Sequence, residues 1–189
     1  MTSDRPEIKR RNDWETPHWL FDRLHAEFGF DVDGAAQPHN AKLPRFWTPE
    51  EDGLSQPWRG LKVFVNPPYL GGRKAHWVTK AAEETRSGGC PLVVMVLPAD
   101  TEAFWWHDIV MPNCSEVRFV RGRIHFLLNG QRVPGGRPVF NSAVVVFRSV
   151  YRRTAHCIAT SLRAPDPRTL WHGRTKSQQG QSDLVEVVA

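Results

Sequence analysis

Long apolar runs are missing from this 189-residue chain; none approaches the roughly 20 residues a helix needs to cross a bilayer. Cysteine is scarce as well. The three present, Cys90, Cys114 and Cys157, lie far apart and form no C-x-x-C pair, which argues against a disulfide framework or zinc ribbon and leaves reduced thiols as the expectation. His76, His107 and His125 share no metal-ligand spacing, so no metal is expected. The opening M-T-S-D-R-P-E-I-K-R-R has no apolar stretch of the kind a secretory signal carries, and the expectation is a cytoplasmic protein without a membrane partner. At 40% the hydrophobic content is a little low, while 15 prolines and 14 glycines promise many turns. The charge leans one way: 25 Lys and Arg against 20 acidic residues, net +5. That balance is compatible with an anionic partner, nucleic acid being the commonest, without singling one out.

The length suits one domain with short extensions. Residues 1–12 are charged and aperiodic and read as a flexible lead, residues 13–150 as the domain, and residues 151–189 as a basic polar tail, partly disordered. Thr16 is a suitable N-cap with Pro17 at the first helical position, Leu20, Leu24 and Phe28 recur every four residues, and Gly29 can close the helix. F-D-V-D-G-A-A reads as a short strand entering a turn of small residues. Between Gln37 and Gly60 periodicity fails, and loops with one short strand or helix are expected. L-K-V-F-V gives a strand, His76–Arg86 a helix, and P-L-V-V-M-V-L-P a strand buried on both faces. A helix capped by Asp100 or Thr101 should stop before Pro112. E-V-R-F-V and A-V-V-V-F are two further strands, separated by a Gly/Arg-rich excursion from Gly122 to Pro138. Strands alternating with helices predict an α/β sheet covered on both faces, whose ligands bind beyond the carboxyl ends of the strands. That rule brings the turn after F-D-V-D and the turn after K-V-F-V to one site.

The second turn is N-P-P-Y, Asn66 to Tyr69. Prolines often follow strands, so a rigid turn is the simple reading. Yet a tetrapeptide of this type arises by chance in only about one such chain in a few hundred. Its chemistry suits an exocyclic amine. An aromatic amine is a poor nucleophile because its lone pair is delocalised into the ring. Two acceptors aimed at its two hydrogens favour a pyramidal nitrogen with the lone pair free. Asn66 offers a side-chain carbonyl and Pro67 a backbone carbonyl. Pro67 and Pro68 carry no N–H and fix φ, which hinders the turn from satisfying its own carbonyls. Tyr69 supplies a flat face for a base taken out of its stack.

With these residues in hand the chain resembles a known family. N-P-P-Y is similar to the catalytic motif of the amino-methyltransferases. W-E-T-P-x-x-L-F-D-x-L, F-D-V-D-G-A-A-x-x-x-N-A-K, E-D-G-L, V-F-V-N-P-P-Y, L-P-A-D-T and G-R-I-x-F, in this order over residues 13–148, resemble the phage-encoded DNA N6-adenine methyltransferases of the Dam type. The resemblance implies a compact Rossmann-like methyltransferase fold with a mostly parallel sheet, S-adenosylmethionine as cofactor and double-stranded DNA as partner, in the cytoplasm of a phage's host. It implies that Trp14 lies at the cofactor and that Glu15, Thr16 and Pro17 meet the carboxylate of its methionine end. Asp33 would take the methionine ammonium, with Gly34 and Ala35 letting the backbone come close. Asp52 would accept from the adenine amino group, with Leu54 against the ring. Asn66, Pro67, Pro68 and Tyr69 would clamp the target amine. The F-x-G-x-G loop of larger relatives is absent, and Asp31, Glu50 and Glu51 are open candidates for the ribose hydroxyls.

In an enzyme of this kind Arg121, Arg123, Arg132 and Arg137, with Arg73 and Lys74 beside N-P-P-Y, are the expected DNA contacts, since guanidinium groups grip phosphate bidentately. Three alternatives share the same residues. One is transfer to cytosine N4 or an RNA base, another is transfer to a protein glutamine, and the third is a non-catalytic DNA-binding protein with a degenerate cofactor site.

Overall fold

The computed structural model of the chain describes residues 14–69, 72–132, 141–149 and 158–163; the expected N-terminal lead, Arg137 and most of the expected tail lie outside them. Helix α1 spans His18–Phe28. It starts one residue later than its sequence predicts: Pro17, extended at φ −65 and ψ 146, is the N-cap, and its carbonyl accepts from the Leu20 and Phe21 N–H groups at 3.0 and 3.2 Å. Thr16 is instead drawn into extended backbone beside Glu15, which pairs across the chain with Leu127. Gly29 closes the helix as expected, at φ 64, donating to the His25 carbonyl at 2.8 Å.

The strands are β1 (Val32–Asp33), β2 (Lys62–Val65), β3 (Leu92–Pro98), β4 (Glu116–Arg121), β5 (Leu127–Leu128), β6 (Gln131–Arg132), β7 (Ser142–Arg148) and β8 (Ile158–Arg163). Six of them form one sheet in the order β1-β2-β3-β7-β4-β8, while β5 and β6 make a separate antiparallel pair. Only β7 runs against its neighbours in the six-stranded sheet, so the sheet is mostly parallel, as expected. Successive side chains point to opposite faces of a strand, and here both faces are covered. Val63, Val65, Val93 and Met95 face helix α2 (Lys74–Arg86) with its buried Trp77, Val78 and Ala81. Phe64, Val94 and Val96 face α1 with its buried Leu20, Phe21, Leu24 and Phe28. Two-sided burial explains why β3 reads as an unbroken apolar run.

Four elements depart from the sequence reading. No strand or helix forms between Gln37 and Gly60; Phe46 contributes a single bridge to Asp33. The helix expected from Asp100 begins as turns and becomes a π-helical segment, Trp106–Val110, running into a short α3, Met111–Asn113. Pro112 sits inside α3 rather than ending the helix, which stops one residue later at Asn113. The Gly/Arg-rich excursion contains the β5–β6 hairpin. The stretch after Val150, expected as tail, contributes β8, which pairs parallel to β4 from Glu116↔Ile158 to Arg121↔Arg163. No described helix is long and apolar enough to cross a membrane.

Candidate active site

The ends of β1 and β2 bring the two expected turns together. The strands pair in parallel with Val32 opposite Val63 and Asp33 opposite Phe64, and the Gly34 N–H donates to the Phe64 carbonyl at 2.7 Å. D-G-A-A and N-P-P-Y therefore leave the sheet side by side at its carboxyl edge. A Cβ on Gly34 would stand 3.0 Å from Val63 and 3.3 Å from the Phe64 carbonyl, so a side chain there would crowd β2. E-D-G-L closes in from the other side. A Cβ on Gly53 would lie 2.2 Å from the Gly34 carbonyl oxygen and 2.9 Å from the Trp77 ring. Between these turns opens a cleft of about 220 Å³ that touches Gly34, Ala35, Asp52, Asn66 and Pro68. Gln37, Asn40, Trp47, Thr48 and Trp77 also line it, and the sequence reading gave none of these a role. Asn40 stands inside the quoted N-A-K motif, which was its only signal. Trp47 and Trp77 flank Trp58 in a stack with centroid separations of 6.4 and 6.3 Å, a pairing that joins three distant segments and leaves no local pattern. The Trp77 Nε1 is buried without a hydrogen-bond partner.

Asn66 is held at both ends of its amide. Its Nδ2 donates to the Trp14 carbonyl at 2.8 Å, and the Tyr69 hydroxyl lies 2.9 Å from its Oδ1 and 3.1 Å from the Val96 carbonyl. A backbone carbonyl can only accept, so the Trp14 contact fixes which end of the amide carries oxygen. Oδ1 keeps a second lone pair. Among the described residues no hydrogen bond reaches the Pro67 carbonyl. Tyr69 departs from its expected role as an open stacking face: the ring is 7% exposed and meets Phe126 edge-on at 6.0 Å. Burial pushes its phenol well above the ordinary range, which keeps the hydroxyl a donor. Trp14 stacks on the other part of this group, 5.6 Å from Phe126.

Beside the N-P-P-Y turn lies a buried charge cluster. Glu15 is 4% exposed and Asp33 3%. The Gly130 N–H donates to Glu15 Oε1 at 3.0 Å, while the Lys42 N–H donates to Asp33 Oδ2 at 3.1 Å. Burial raises the Asp33 carboxyl to about 6, against the opposing effect of the Lys42 and Ala35 N–H groups and the Lys42 charge. Thr16 Oγ1, equally buried, has no partner. Neither Glu15, Thr16, Pro17 nor Asp33 touches the cleft described above, nor does Leu54, which packs against the α2-side core. Asp52 does, at φ 49, accepting from Ser55 Oγ at 2.7 Å and pairing with Arg73 at 3.7 Å. Of the ribose candidates, Asp31 accepts from the Lys62 N–H and Glu51 from the Thr48 N–H, and neither they nor Glu50 line the cleft.

The expected DNA contacts divide. Arg73 borders the cleft through Asp52, and Lys74 pairs with Asp100 at 2.8 Å under the Trp105 ring. Arg121 and Arg123 are exposed, and Arg132 on β6 lies 3.3 Å from His125, whose ordinary pKa is lowered by burial and then by that guanidinium. Among the described residues no group of three metal-ligating side chains occurs.

The DNA N-6-adenine-methyltransferase of Haemophilus phage HP1 (strain HP1c1) is 31% identical over 132 residues, 68% of this chain and 74% of that protein. The DNA N-6-adenine-methyltransferase of Escherichia phage T1 is 28% identical over 135 residues, 70% of this chain but only 55% of the longer phage protein. The profile described as DNA N-6-adenine-methyltransferase (Dam) matches residues 3–168, nearly the whole length, including β8 and the hairpin. The chain belongs to the DNA N-6-adenine-methyltransferase (Dam) family.

Proposed function

We propose that this protein methylates the exocyclic N6 of adenine in double-stranded DNA, with S-adenosylmethionine as donor and the target base turned out of the duplex into the N-P-P-Y clamp. The observation that carries the reading is the orientation of Asn66. With Nδ2 committed to Trp14, Oδ1 faces the other way with a lone pair to spare, and the Pro67 carbonyl one residue on is unbonded among the described residues. Two acceptors at one turn suit the two hydrogens of an amine. As Oδ1 and the Pro67 oxygen draw on those hydrogens, the N6 lone pair localises and can attack a methyl carbon. The N–C bond forms as the methyl–sulfur bond breaks, and the surplus proton on N6 becomes acidic enough to leave to water.

The residues of the site fit the proposed cofactor. Thr16 Oγ1 and Trp77 Nε1 are buried donors without acceptors, and Glu15, Asp33 and Lys42 together carry one net negative charge beside the turn. A ligand with an ammonium, a carboxylate and a polar nucleoside answers each of these. When bound, it supplies an electrophilic methyl group. Gly34 allows the close approach, and Asp52 and Trp77 border the nucleoside end. A mostly parallel sheet with ligand turns at its carboxyl edge supports a Rossmann-like description of the fold, and the exposed Arg121 and Arg123, which precede the hairpin in sequence, with Arg132 on it, are the cations we assign to phosphate. A DNA substrate supports a cytoplasmic location, that of the host cell for a phage-encoded chain.

The test is incubation with labelled S-adenosylmethionine and unmethylated duplex DNA, followed by nucleoside mass spectrometry. N6-methyladenine that disappears with Asn66→Ala is the expected result. N4-methylcytosine, or no methylated nucleoside although cofactor is bound, would overturn the substrate.

A further inference from the structure

Lys42 brings a cation to the Glu15 and Asp33 carboxylates. Its side chain is only 6% exposed although it belongs to no helix or strand, and its Nζ lies 4.0 Å from Glu15 Oε2. That separation is well beyond the 2.7–2.9 Å of a charge-assisted hydrogen bond. Among the described residues Nζ makes no hydrogen bond at all. An ammonium on a largely buried stem, with three donors and no hydrogen bond to the described residues, stands to gain from a ligand that brings it acceptors. Burial accordingly pulls its pKa down, with Glu15 and Asp33 working in the opposite direction. Asp33 Oδ2 accepts from the backbone N–H of Lys42 and Glu15 Oε1 from Gly130, while Glu15 Oε2, at 4.0 Å, stands beyond hydrogen-bond reach of Nζ.

The same contacts set opposite charges side by side. The bond between the Lys42 N–H and Asp33 Oδ2 ties the segment bearing the ammonium to the carboxylate. An α-amino acid presents the complementary pattern, an ammonium and a carboxylate on one carbon. Two carboxylates and one ammonium leave a single negative charge in the cluster, and a ligand with ammonium, sulfonium and carboxylate brings a single positive one. A difficulty in the expected roles also disappears. Glu15 is an anion and cannot itself receive a carboxylate; it can hold the cation that does.

We propose that Lys42 binds the α-carboxylate of the cofactor's methionine end, with Glu15 as the positioning residue that keeps the Lys42 ammonium in place and Asp33 as the partner of the α-ammonium. This rests on the cofactor reading above. The ligand's carboxylate supplies the acceptors that Nζ lacks, and the loose 4.0 Å pair with Glu15 is the resting arrangement it supplements.

Calorimetry on the full chain with two ligands tests it: S-adenosylmethionine and its decarboxylated analogue, which keeps ammonium and sulfonium. Wild type should bind the analogue about 10- to 100-fold more weakly, the range of a hydrogen-bonded charge. Lys42→Met should bind both ligands at the analogue's level, with no preference left. Lys42→Arg should restore the preference, which separates lost contact from lost folding. Asp33→Asn should weaken both ligands while keeping the preference. A wild type without preference, a Lys42→Met that keeps it, or a Lys42→Met that weakens both ligands equally would each overturn the assignment. If wild type binds neither ligand, the cofactor reading falls first and takes this one with it.

Discussion

Tyr69→Phe isolates one atom of the clamp. The ring stays, buried against Phe126, and only the hydroxyl between Asn66 Oδ1 and the Val96 carbonyl is lost. The hydroxyl has one proton for two acceptors at 2.9 and 3.1 Å, so its share in orienting Asn66 is at most one neutral hydrogen bond, about 1 kcal/mol. Asn66 remains anchored through Nδ2 to Trp14 and is loosened rather than freed. A 1 kcal/mol loss of orientation reduces the fraction of productive Oδ1 geometries about fivefold. The expected result is a kcat lower by up to about fivefold, with KM for DNA and for cofactor changed less than twofold. Stability should fall by about 1 kcal/mol for the same bond. Single-turnover methylation of a duplex oligonucleotide, with thermal melting of the same preparations, reads all of these. Unchanged kcat would refute an orienting role for the hydroxyl. Weaker DNA binding at unchanged kcat would refute it too, because the hydroxyl would then be touching the base.

Gly53→Ala should lower the melting temperature and abolish cofactor binding, because its Cβ would meet the Gly34 carbonyl oxygen at 2.2 Å and one of the two backbones must move; calorimetry and melting together check both. Asp33 has a folded-state pKa of about 6 against an ordinary 3.8, so the folded protein holds that proton more tightly than the unfolded chain. Between these values the free protein should lose stability as pH rises, by roughly 3 kcal/mol at most. Asp33→Asn should therefore melt higher than wild type at pH 7 and equally at pH 3.5, while losing cofactor affinity. Arg118 joins β4 to α1 through Glu27 at 2.6 Å and lies 5.2 Å from the Phe28 ring centroid; Arg118→Met should lower the melting temperature and leave kcat unchanged. Arg118 holds the Glu27 carboxyl below its ordinary range, chiefly by their hydrogen bond, so this contribution is present above that range and fades as pH falls through it.

Elements that bury a repeating face could be read from sequence: the four-residue recurrence of Leu20, Leu24 and Phe28, and the unbroken runs of β3 and β7. The adjacency of D-G-A-A and N-P-P-Y followed from one rule about parallel strands. Edge strand β8 escaped notice because, of its residues with described side chains, only Leu162 is buried and Ile158 is 54% exposed, which leaves no apolar signature. The β5–β6 hairpin did announce itself, as Asn129-Gly130, both at positive φ (50 and 71), the pair favoured for a tight turn. It was absorbed into an Arg-rich loop. The pairing of Glu15 with Leu127, the Trp14 carbonyl on Asn66 and the burial of Lys42 depend on contacts across distant segments. Those follow from the assembled fold and have no local spacing to reveal them.

The bond from Gly130 to Glu15 spans 115 residues of sequence and joins two kinds of traffic. One side is the tip of a hairpin bearing Arg132; the other is a carboxylate beside Lys42 and the Asp33 turn, doubly tied by the Glu15–Leu127 bridge. On the proposed reading, displacement of that tip by a nucleic acid would be passed to the amino-acid end of the cofactor site, and the reverse would hold with equal force. The two ligands would then be thermodynamically linked. Whatever factor the cofactor imposes on DNA affinity, DNA must impose on cofactor affinity, so measuring either coupling fixes the other and sets which ligand gains most by arriving first.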